Sequence, residues 1–82
     1  MNIRVSNISL NTTDTEIRKL FSSYGNVDSA QVNRNSLNGR SLRSGLINMP
    51  VEAQARQAIV SLDKTIFDGK IISVNEIPAD YI

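Results

Sequence analysis

Apolar residues in this chain recur with a period of about two, then near 3.6, then two, two, 3.6 and two. That order restricts the fold more than any other feature. In residues 2 to 7, NIRVSN, Ile3 and Val5 fall on one face and Asn2, Arg4 and Ser6 on the other, as in a half-buried strand. The run Asn11-Thr12-Thr13-Asp14 interrupts it. Thr13 followed by Glu16 is a capping-box pair, in which each side chain satisfies a backbone N–H at a helix start. Asp14 and Glu16 also suit the positive end of the helix dipole. The helix carries Ile17, Leu20, Phe21 and Tyr24 as one apolar stripe, and Gly25 is its expected stop. Val27, Ala30 and Val32 begin a second strand, and the 27-to-30 step requires a bulge or a late strand start.

Asn38-Gly39, inside the polar stretch from Arg34 to Ser41, is a tight-turn signal. The second strand therefore pairs antiparallel with a third, across a long loop. In that third strand, LRSGLINM, Gly45, Ile47 and Met49 are predicted to face inward and Ser44, Leu46 and Asn48 outward. Pro50 ends it. Residues 51 to 62 place Ala55, Ala58, Ile59 and Leu62 at helical spacing, and the two alanines let this helix approach a sheet closely. Asp63 to Gly69 reads as a loop with Phe67 as a core plug. Lys70 to Glu76 reads as the last strand, with Ile72 and Val74 inward and Ile71, Ser73 and Asn75 outward. The predicted class is α+β: a ferredoxin-like βαββαβ sandwich with a four-stranded antiparallel sheet in the order 4-1-3-2 and both helices on one face. The domain is expected over residues 1–77, followed by a short tail, 78–82.

Composition bears mainly on chemistry. A chain of 82 residues forms one small domain. It has no cysteine and no histidine, which removes disulfides, thiolate metal sites and the commonest general base. The acidic residues are dispersed and read as helix-start or turn residues, and Ser44 has no base to activate it. The chain is therefore not expected to be an enzyme, nor to carry a cofactor, a metal or a small-molecule substrate. Its apolar runs fall far short of the roughly 20 residues that span a bilayer, and no secretory signal opens it, so no membrane partner is expected and a cytoplasmic protein is. The net charge of +1 is too small to name a partner. Its distribution is more informative: between Ser29 and Val51 there is no acidic residue, while Arg34, Arg40 and Arg43 all fall there.

The blocks NIRVSNIS, TDTEIRKLFSSYGNV, NGRSLRSGLINM, ARQAIVSLD and FDGKIISVNE, in this order and spacing, resemble the RNA-recognition motif (RRM) family over nearly the whole chain. The resemblance implies single-stranded RNA binding on the open sheet face, where aromatic rings of two central strands stack on bases. The family's third-strand motif is K/R-G-F/Y-G/A-F-V-x-F/Y. Here Leu42 stands at the basic position, Arg43 at the glycine, Ser44 at the first ring and Leu46 at the second, while Ile47 and Met49 keep the buried places. In the first strand Arg4 occupies the ring position, beside Asn7 and Ile8, which fit the family pattern. The buried half of the signature is intact and the stacking half is gone. Arg4 is the substitute, since a guanidinium can stack on a base or pair with a phosphate. Gln31, Asn33, Asn48, Ser73 and Asn75 are candidates to bond base edges, and Arg34, Arg40 and Arg43 to hold the backbone. Two functions stay open. One is weak, largely electrostatic binding of single-stranded RNA, or of single-stranded DNA. The other is protein interaction or self-association through Leu46 and Ile71, a homodimer through the sheet faces included; Tyr81 and Ile82 of the tail, folded back across the sheet, would instead cover those apolar residues and block RNA. Compact single-domain members of the family occur in bacteria, and a bacterial source is expected.

Overall fold

Strand β1, Asn2–Ser6, forms where Ile3 and Val5 can both turn inward, and both are fully buried. The computed structural model describes residues 1–78. β1 stops one residue before the expected end because Asn7 has a φ of 61°, a left-handed conformation that asparagine tolerates. Its Nδ2 donates to the Ile71 carbonyl at 2.8 Å. Helix α1, Asp14–Ser22, begins at the predicted capping box: Thr13 Oγ1 accepts from the Glu16 N–H at 3.2 Å, and Glu16 Oε1 accepts from the Thr13 N–H at 2.9 Å. Ile17 and Phe21 of its stripe are fully buried.

Gly25 is not the helix stop. α1 ends at Ser22 with Ser23 as its cap. The glycine instead admits the second helix: a β-carbon at Gly25 would lie 2.6 Å from Cβ of Gln54, whose Oε1 accepts from the Asn26 N–H at 2.9 Å. Gly25 also has a φ of 155°. Gly25→Ala is therefore expected to destabilise the fold by about 1–3 kcal/mol through strain and overpacking, read as a lower urea midpoint.

Strand β2, Ser29–Arg34, starts after Val27, the late start rather than a bulge at that step. It pairs antiparallel with β3, Ser41–Asn48. Their connection is held by its own backbone: the Asn35 N–H donates to the Arg40 carbonyl at 2.8 Å and the Gly39 N–H to the Asn35 carbonyl at 2.9 Å. Helix α2, Glu52–Leu62, buries Ala55, Ala58 and Leu62. The segment after it departs from expectation. Phe67 belongs to a short strand, β4, Ile66–Phe67, which pairs with β5, Lys70–Ile71, through a two-residue turn at Asp68-Gly69 with φ values of 53° and 79°. The single last strand is thus divided. Ile72 is buried but leaves the ladder, because its N–H and carbonyl bond to Thr65 and Lys64 of the preceding loop at 2.9 and 2.8 Å. Strand β6, Ser73–Ile77, then completes the sheet.

The sheet order is β2-β3-β1-β6, all antiparallel, which is the predicted 4-1-3-2 with β6 as the fourth strand. Ile3, Val5, Ile47 and Val74 of the sheet meet Ile17, Phe21, Ala55 and Ala58 of the helices in one core. An edge strand leaves every second N–H without a ladder partner. Here each edge has one such group met by a carboxylate: Asp14 Oδ1 accepts from the Val32 N–H at 2.7 Å on β2, and Asp63 Oδ1 from the Val74 N–H at 2.9 Å on β6. Residues 79–82 lie outside the described residues, and with them the expected cover of Tyr81 and Ile82 over the sheet.

Candidate nucleic-acid interface

Because side chains alternate along a strand, the registers fix which outward residues stand side by side. One row across the sheet reads Gln31, Leu46, Arg4, Asn75. The next reads Ser29, Asn48, Asn2, Ile77. On the other side of the first, Ser44, Ser6 and Ser73 form a third row, with Asn33 joining it through a hydrogen bond from its Nδ2 to Ser44 Oγ at 3.0 Å. Among these described positions there is no ring and no carboxylate, and Arg4 is the one cation. It is exposed, and its strand neighbours are Leu46, itself 38% exposed, and Asn75. Asn48 Nδ2 donates to Asn2 Oδ1 at 2.8 Å.

Ser44 is a correction. It was expected to face out, and it does stand in an outer row, but only 6% of it is exposed and its hydroxyl is taken up by Asn33. The reason is an irregularity in β3. Val32 lies opposite Gly45 while Arg34 lies opposite Ser41, so Asn33 alone faces Leu42, Arg43 and Ser44. Arg43 takes a φ of 61°, with its N–H on Ser41 Oγ at 3.0 Å and its carbonyl accepting from the Ile8 N–H at 3.2 Å. Strict alternation would turn Arg43 inward with Gly45; the bulge instead leaves it exposed.

The arginines are not gathered on the open face. Arg34 and Arg40 line a depression with Leu10, Asn11 and Ser41, between the β2–β3 and β1–α1 connections. Nη1 of Arg34 donates to the Gly39 carbonyl at 3.3 Å. Leu46 and Ile71 do not share a sheet, since Ile71 pairs with Ile66 in the small hairpin. The rows also include Asn2, Ser6, Ser29 and Ile77, which were not among the sequence-based site candidates. Alternation in NIRVSN already turned Asn2 and Ser6 outward. Ser29 and Ile77 join the rows through the late start of β2 and the end of β6 at Ile77, which local alternation does not fix. The described residues contain no group of three or more His, Cys, Asp or Glu placed to hold a metal ion.

The family model described as RNA recognition motif matches residues 3–73. The 28 kDa chloroplastic ribonucleoprotein of Nicotiana sylvestris is 38% identical over 73 residues, which are 89% of this chain and 26% of that protein. The chain thus spans about a quarter of that relative's length. The putative RNA-binding protein RbpE of a Nostoc species is 33% identical over 76 residues, 93% of this chain and 77% of that protein. Among solved structures, the RNA-binding protein PG1 superposes with a TM-score of 0.90 at 34% identity, over 95% of this chain and 98% of that one. The Sex-lethal protein in its RNA complex superposes with a TM-score of 0.84 at 26% identity, over 90% of this chain and 46% of that one.

Proposed function

From the premise that this chain belongs to the RNA recognition motif family, we propose that its open sheet face binds single-stranded RNA weakly, by charge and hydrogen bonds rather than by ring stacking. The observation that carries this reading is the central row Gln31, Leu46, Arg4, Asn75: a lone exposed guanidinium stands where the family places a ring, between an apolar and an amide neighbour. A guanidinium there can lie flat on a base or fork onto a phosphate, and Gln31 and Asn75 add donors and acceptors at base edges. Arg43, exposed by the β3 bulge, and Arg34 and Arg40, in a separate depression beside the β2–β3 connection, are further candidates to hold the phosphate backbone. Single-stranded DNA offers the same phosphates and base faces and is expected to compete. A protein-docking face built on Leu46 and Ile71 has less support, because those residues lie on different sheets.

Fluorescence anisotropy with a short random-sequence RNA tests the reading. Arg4→Ala is expected to lower affinity roughly tenfold, the loss of one charge-assisted bond of about 1.5 kcal/mol. It should also flatten the log–log salt slope by about 0.7, the value for one phosphate contact on a single strand. If neither quantity moves, Arg4 has no part in binding.

A further inference from the structure

The row beside Arg4 carries a more specific possibility, which rests on the RNA-binding reading. Asn2, Ser29, Gln31, Leu46, Asn48 and Ile77 line a depression of about 300 Å³ on the open face, which runs from Leu46, at one of the family's ring positions, to the Asn2–Asn48 row beside it. Its lining combines the apolar Leu46 and Ile77 with uncharged side chains rich in amides. Asn2 and Asn48 are bonded to each other at 2.8 Å. Whichever way two primary amides are turned, one bond between them leaves a free donor on one and a free acceptor on the other. The β1–β3 register places Asn2 directly opposite Asn48 and both line the depression, so the free donor and the free acceptor belong to neighbouring, mutually bonded side chains before any ligand arrives.

We infer that this depression takes a single unstacked adenine, read along one edge by the Asn2–Asn48 pair. Adenine sets an amino donor next to a ring-nitrogen acceptor, the complement of what the amide pair leaves free; a single asparagine makes the same two bonds to adenine from one amide, and here they are divided between two. Cytosine offers a similar edge on a smaller ring and would cover less apolar surface in a depression lined by Leu46 and Ile77. The missing rings then matter less to base choice than to affinity: Arg4 supplies attraction without discrimination, and the amide pair supplies discrimination.

The test uses a short oligouridylate and the same oligomer with one central adenine, cytosine or guanine, measured by anisotropy. The adenine-bearing oligomer is expected to bind about tenfold more tightly than the others, within the range of one good bidentate pair. Asn48→Ala should bring the ratio to near one while leaving the salt slope unchanged. Asn2→Ala, which removes the other half of the pair, should also erase the ratio, and a urea midpoint measured for each variant guards against misfolding. Equal binding of all four oligomers, preference for another base, or a ratio that survives both substitutions overturns the adenine assignment and leaves the parent reading standing. Absence of binding to every oligomer overturns both.

Discussion

Leu46→Phe is expected to raise affinity for single-stranded RNA by about 1–3 kcal/mol, roughly 5- to 150-fold, without steepening the salt dependence. The estimate is the worth of one base–aromatic stack. Leu46 stands on the central strand β3, directly opposite Arg4 on β1 and Gln31 on β2, at the place where the family's second third-strand ring belongs. It is already 38% exposed, so a ring there extends above the sheet instead of into the core. The substitution should leave the urea midpoint close to that of the parent chain. Anisotropy at several salt concentrations separates the contributions, because a stack adds affinity at every salt and a phosphate contact loses it as salt rises. An unchanged Kd would mean that the ligand does not lie over this row.

The second large effect concerns stability. Replacing both Asp14 and Asp63 by alanine is expected to destabilise the fold by about 2–6 kcal/mol, the sum of two partly buried N–H groups left without an acceptor at about 1–3 kcal/mol each. The total stability of a small domain is about 5–15 kcal/mol, so the double variant should be partly unfolded at moderate temperature. The two sites lie on opposite edges of the sheet, on β2 and β6. Their effects should therefore add, and a double-mutant cycle by thermal or urea denaturation would show no coupling. If Asp14→Ala alone costs nothing, water replaces the carboxylate at Val32 and the edge is not protected in the way described.

Much of this was legible before any coordinates. The capping box at Thr13 and Glu16, the inward residues of each strand and the 4-1-3-2 order follow from local periodicity and from the requirement that each apolar face be covered. What was not legible depends on long-range pairing or on single residues in left-handed conformations. Nothing near Asp14 in the sequence says that its carboxylate meets Val32, or that Asp63 meets Val74. The division of the last strand arises because Ile72 bonds to the loop at Thr65 and Lys64, a competition that alternation in KIISVNE does not reveal. The candidate site shows the same split. Arg4, Gln31, Leu46, Asn48 and Asn75 fall where alternation puts them. Ser44 and Arg43 do not, because a residue count that is uneven across β2 and β3 cannot be read from β3 alone.

A surface with one guanidinium and no rings has a kinetic consequence. Opposite charges speed encounter, and without ring stacks the contacts proposed for this face, charge and amide bonds, can exchange with water one at a time. A Kd on the order of 10⁻⁵ M, typical of sequence-independent binding, with association near 10⁷ M⁻¹s⁻¹, corresponds to a bound lifetime of about 10 ms. Under the proposed binding mode, occupancy would then follow the momentary concentration of unpaired strand.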